Sequence, residues 1–116
     1  MQPIQRLSLV LTASLLVVAC GSTPPAAQEE AVTSALYTCE SGVKIVASYS
    51  DTDTATVHYQ GRTYSLKNAV SASGARYVGD GIEWWTKGAG RGASGSVLQH
   101  LADGTSGAVL ETCTQE

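Results

Sequence analysis

"TATVHYQGRTYSLK", residues 54–67, consists of two runs in which apolar and polar side chains alternate, separated by the pair Gln60–Gly61. A period of two puts Ala55, Val57 and Tyr59 on one face of an extended chain and Thr54, Thr56 and His58 on the other, as in a half-buried strand. A short glycine-containing break between two such runs reads as a hairpin. The same pattern extends in both directions, through "VKIVASY" (43–49), "RYVG" (76–79), "IEWWTK" (82–87), "SVLQHL" (96–101) and "AVLETC" (108–113). The breaks are "SDTD" (50–53), "GDG" (79–81) and "ADGTSG" (102–107), each rich in turn formers. No segment carries a long 3.6-residue stripe. Seven or eight strands in roughly 80 residues predict an all-β unit, one small antiparallel barrel or sandwich; closure would remove the edges that invite aggregation. Phenylalanine is absent, so Tyr, Trp and aliphatic side chains must fill a thin core. That is the size range in which a covalent staple matters most.

Ahead of this pattern lies a different kind of sequence. Arg6 precedes the apolar run "LSLVLTASLLVVA" (7–19), which is shorter than the roughly 18 to 20 residues of a membrane span and suits the core of a signal peptide. It ends in "VVAC", which resembles the lipobox of bacterial lipoprotein precursors. That resemblance implies cleavage after Ala19 and acylation of Cys20, a stable membrane attachment because each buried methylene contributes about 0.8 kcal/mol. Gly21 and Ser22 stand where an aspartate would signal inner-membrane retention, so the expected location is the outer membrane, facing the periplasm. The next stretch, "GSTPPAAQEEAVTS" (21–34), has little to bury and reads as a flexible tether. The expected organisation is a signal peptide over 1–19, a lipidated cysteine and linker over 20–34, and a β domain over 35–116.

Without residues 1–19 the chain has six Lys and Arg against ten Asp and Glu. An acidic chain lacks the clustered cations that nucleic-acid binding needs, and it attracts a basic protein partner instead. With Cys20 lipidated, Cys39 and Cys113 remain in an oxidising compartment and are expected to form a disulfide. Neither His58 nor His100 stands at a metal-ligand spacing from them, so no metal is expected.

Candidate chemistries are few, and no cofactor is implied. "GAGRGA" (88–93) has the glycine spacing of a dinucleotide-binding turn, but the following segment reads as a strand rather than a helix, which leaves a mobile glycine-rich loop. Ser73 with Lys87 has the elements of a serine–lysine hydrolase without its local signatures or an oxyanion hole, so no enzyme is expected. Asp80 and Glu83 read as solvated surface rather than a glycosidase-type pair. Trp84 and Trp85 are adjacent and must point to opposite faces of a strand; one fills the core, and the other is an ordinary exposed aromatic or part of a recognition surface.

Taken together, "YTCESG" (37–42), "SASGARY" (71–77), "WWTKG" (84–88) and "LETC" (110–113) resemble the periplasmic and membrane-bound inhibitors of c-type lysozyme. The resemblance covers about residues 36–116, with Lys87 fourteen positions after Ser73. It implies a small antiparallel β-barrel with a disulfide and a c-type lysozyme as protein partner. It further implies that the turn bearing Ser73 and Gly74 and the loop bearing Lys87 enter the lysozyme cleft, with Tyr77 as the motif tyrosine. One departure is "AGRGASGS" (89–96) where the family passes more directly into the next strand. This longer loop brings Arg91, which would add a second contact or shift which lysozymes are recognised. The alternative reading is an envelope lipoprotein that binds a cell-wall fragment or another periplasmic protein, with Trp84 or Trp85 as the platform.

Overall fold

The structure, a computed structural model, describes residues 32–116. Eight strands follow one another: β1 (Thr33–Cys39), β2 (Lys44–Tyr49), β3 (Thr54–Tyr59), β4 (Arg62–Ala69), β5 (Ala75–Gly79), β6 (Ile82–Lys87), β7 (Ser94–His100) and β8 (Ser106–Gln115). Each pairs antiparallel with the next, and β8 returns to β1 to close a barrel. The all-β barrel and its single disulfide are therefore as expected. The signal-peptide, Cys20 and most of the linker expectations fall on residues outside those described. At the linker boundary, β1 takes in Thr33 and Ser34, where Ser34 Oγ hydrogen-bonds Ser48 Oγ at 3.0 Å across the β1–β2 ladder.

Gln60 and Gly61 form the β3–β4 turn, and Asp80 and Gly81 the β5–β6 turn. All four have positive φ, the type I′ geometry whose twist matches that of the flanking strands. Alternation sets the interior. Ile45, Ala47, Ala55, Val57, Leu66, Trp84 and Val97 are wholly buried, with Tyr37, Tyr59, Tyr77 and Ile82 around them. Trp84 is the largest fully buried side chain. Its indole N–H donates to Tyr49 Oη at 2.9 Å, which satisfies a donor that would otherwise be costly inside. The Tyr37 ring meets it edge-on at 4.9 Å. Gly95 makes this possible, because a Cβ there would stand 2.5 Å from the Trp84 ring. Burial, outweighing the indole hydrogen bond, pushes the Tyr49 phenol up to about 12.

The closing seam is short. Tyr37, Thr38 and Cys39 pair with Gln115, Thr114 and Cys113. Backbone bonds from Glu116 N–H to Leu36 O and from Glu40 N–H to Thr112 O, both 2.9 Å, extend it. The Cys39–Cys113 disulfide, with an S–S length of 2.04 Å, bridges facing residues of this seam across a sequence separation of 74.

The up-and-down order also sorts the connections. The β2–β3, β4–β5 and β6–β7 loops lie at one end of the barrel together with the start of β1 and the end of β8. Reduction of the disulfide is expected to cost about 4 to 5 kcal/mol, by the chain-entropy argument for a loop of this length. A thermal melt with and without reductant reads this as a lower Tm; an unchanged Tm would mean that the ladder alone holds the seam.

Candidate functional site

Ser73 and Gly74 lie in the β4–β5 turn, and Lys87 ends β6. The antiparallel register, in which Ala75 faces Thr86, carries the turn onto the end of β6. Gly74 is the point of contact. It has φ +69°, and a Cβ on it would meet Thr86 O at 2.2 Å and Lys87 Cγ at 2.9 Å, so only glycine fits both the backbone conformation and the space. Ser71 Oγ closes the turn by donating to Gly74 O at 3.1 Å. Trp85 Nε1–H donates to Ser73 O at 2.9 Å, and Arg76 Nη1–H donates to Val70 O at 3.2 Å. Ser73 and Lys87 are both exposed. Among the described residues, neither Lys87 nor Arg91 has a carboxylate within ion-pair distance.

A family model described as membrane-bound lysozyme-inhibitor of c-type lysozyme matches residues 37–99, a span that contains the Ser73 turn, Lys87 and Arg91. The chain belongs to that family. A curated relative from Cupriavidus necator, named membrane-bound lysozyme inhibitor of C-type lysozyme, is 40% identical over 55 residues, 45% of this chain and 44% of the relative. The match thus spans less than half of that protein's length. No solved structure matches.

Of the residues expected to form the family's site, Ser73, Gly74 and Lys87 come together as described. Arg91 sits at the same end of the barrel, in the β6–β7 loop. Tyr77 is placed differently: it is 7% exposed and its ring packs 5.5 Å from that of Tyr49. Alternation along β5 turns it inward while Arg76 faces out, so it supports the site from beneath rather than presenting a surface. The glycine-rich loop also differs from the expectation of a mobile segment. Ala93 N–H bonds Gly90 O at 3.0 Å, Gly92 N–H bonds Gln115 O at 2.9 Å, and Gln115 N–H bonds Ala93 O at 2.8 Å. Three backbone bonds, two of them to the last residue of β8, pin the turn that carries Arg91.

Glu83 departs most from its sequence reading. It lies on the outer wall, yet it is fully buried, covered by side chains from three other strands. Arg76 on β5 pairs with Oε1, Ser106 Oγ on β8 donates to Oε1 at 2.8 Å, and His100 Nδ1 on β7 lies 3.1 Å from Oε2. Burial by itself would raise its pKa. The hydrogen bonds from Arg76, His100 and Ser106, with the Arg76 charge, outweigh that and hold the carboxyl below the ordinary carboxylate range. Arg76 therefore links the buried carboxylate to Val70 O, the first residue of the connection that carries Ser73. Sequence reasoning missed this cluster because its members are dispersed along the chain and only the successive pairing of β5, β6, β7 and β8 brings them together.

A depressed folded pKa gives stability that is complete above about pH 4.5, the ordinary value, and is lost as pH falls through the folded value. Glu83→Gln leaves Arg76, with a side chain 14% exposed, without its counter-charge. The variant is expected to lose about 3 kcal/mol near neutral pH and to show a flatter acid limb. Denaturant titrations between neutral pH and about pH 3 measure both; parallel curves for the two proteins would refute the assignment.

Proposed function

We propose that this protein is a non-enzymatic inhibitor of c-type lysozyme that protects peptidoglycan. In this reading acylated Cys20 anchors it to the outer membrane, facing the periplasm. The observation that carries the reading is the seating of Gly74 on Thr86 O and the Lys87 stem, which sets a hydroxyl-bearing turn beside a lysine that has no ion-pair partner among the described residues, in a chain of this family.

The chemistry follows from the target. Lysozyme hydrolyses its glycan with a protonated glutamic acid and an ionised aspartate flanking the scissile bond. The Lys87 ammonium has three donors and no acceptor, so it sits against an ionised carboxylate; the Ser73 hydroxyl donates or accepts beside the protonated partner. Neither offers a bond to cleave, so the cleft is filled without turnover. Gly74 keeps the turn close enough for joint insertion, and Arg91, fixed at the same end, adds a second cation toward an acidic cleft. Net negative charge on the rest of the domain speeds encounter with a basic enzyme.

The alternative, capture of a cell-wall fragment on a tryptophan, is less well supported. Trp84 is sealed inside, and the Trp85 N–H is already engaged.

In an inhibition assay with the full chain, Lys87→Ala is expected to lose about 2 to 5 kcal/mol of binding, the range for truncating one partner of a desolvated charge pair. Ser73→Ala should lose less, and the on-rate of the parent should fall as salt rises. A folded Lys87→Ala protein that inhibits as well as the parent would remove the lysine from the mechanism, and full lysozyme activity in excess parent protein would end the reading altogether.

A further inference from the structure

Trp84 and Trp85 are neighbours with opposite surroundings. Trp84 fills the core, whereas Trp85 lies half-buried on the outer wall. There, what an indole touches with its edge and its face counts for more than the area it hides. Its edge reaches the β4–β5 turn, with Nε1–H donating to the backbone oxygen of Ser73, twelve residues away, at 2.9 Å. Its ring carries the other partner: Lys87 Nζ stands 5.5 Å from the ring centroid, within the range of a cation–π contact. One side chain thus touches both residues of the pair. On the outer wall below, a groove of about 220 Å³ lined by Trp85, Lys87, Ser94, Ser96, Leu98 and Val109 supplies no carboxylate to draw the ammonium away.

We propose that Trp85 is a positioning residue that fixes the Ser73 turn through its N–H and the Lys87 ammonium through its ring, so that hydroxyl and ammonium are presented as one preorganised pair. A planar side chain with two torsions holds both with little residual freedom, and ordering a site before encounter removes a cost otherwise met on binding. The consequence for affinity rests on the lysozyme reading. The ordering of the turn does not.

The test uses the full 116-residue chain and Trp85→Phe, which keeps a ring under Lys87 and deletes the N–H. Without lysozyme, amide hydrogen exchange at residues 70–75 is expected to rise about tenfold, the worth of one hydrogen bond, while the β2 and β3 amides and the Tm stay as in the parent. Lysozyme inhibition should weaken about tenfold, and that factor should shrink toward one in a Ser73→Ala background. Trp85→Leu, which also loses the ring under Lys87, should weaken inhibition about threefold more. Unchanged exchange at the turn in the Phe variant overturns the proposal whether or not the chain inhibits lysozyme. An undiminished tenfold loss in the Ser73→Ala background also overturns it, by making Trp85 a direct contact. General loss of protection in β2 and β3 does so by making Trp85 a structural element of the fold. A loosened turn in a chain whose parent leaves lysozyme untouched upholds the positioning role and removes the lysozyme reading.

Discussion

The barrel depends on its seam. Seven of its eight strand contacts join consecutive strands, but the eighth joins β1 to β8 over three ladder pairs. A loop spanning nearly the whole domain must close to make that contact, and the entropy lost is offset by few hydrogen bonds. The Cys39–Cys113 bridge limits that loss by removing the widest-open conformations from the unfolded chain. On its other side β8 pairs with β7, where Ser106 reaches Glu83 and Gln115 holds the glycine-rich loop. β8 thus serves the seam on one side and the glycine-rich loop on the other.

The end of the barrel that carries Ser73 and Lys87 is built from backbone more than from side chains. Gly74 brings the turn against the Thr86 carbonyl, and Ser71, Arg76 and Trp85 each bind a carbonyl oxygen of the same turn. Such an arrangement leaves the Lys87 ammonium without an ion-pair partner among the described residues, its internal contact being the Trp85 ring. The support beneath is largely aromatic: Tyr77 packs on Tyr49, whose hydroxyl receives the Trp84 indole N–H. In a chain without phenylalanine, the aromatic part of the core carries polar tips, and these find partners: Trp84 on Tyr49, and Tyr59 on Glu111.

Strand positions were legible because a period of two over five to eight residues is a local signal, and the turns at Gln60–Gly61 and Asp80–Gly81 were legible because their backbone geometry follows from residue type. The opposed directions of Trp84 and Trp85 were equally plain, but which one enters the barrel was not, since that is set by Gly95 on another strand leaving room for the ring. Tyr77 could be placed on a strand but not on its inner face without knowing the register of β5. Glu83 read as surface because its sequence neighbours suggest a turn and a strand edge, while the residues that bury it, Arg76, His100 and Ser106, reach it across three strands. The fixed conformation of the loop at 88–93 was hidden for a similar reason: its anchors are backbone atoms of Gln115, and no side-chain pattern announces them. The family motifs carried the Ser73 and Lys87 assignment further than patterning alone, since a serine before a glycine and a lysine at a strand end are common surface features.

The polypeptide enters β1 at the same end of the barrel that displays Ser73 and Lys87. With Cys20 as the proposed anchor, the stretch from there to Thr33 reaches at most roughly 45 Å when fully drawn out, about one and a half times the width of a small globular enzyme, about 30 Å. A guest approaching that face must therefore fit between the barrel and the bilayer, or the barrel must roll over on its leash. The spacing of residues 20–33 becomes a ruler for the headroom beneath the molecule.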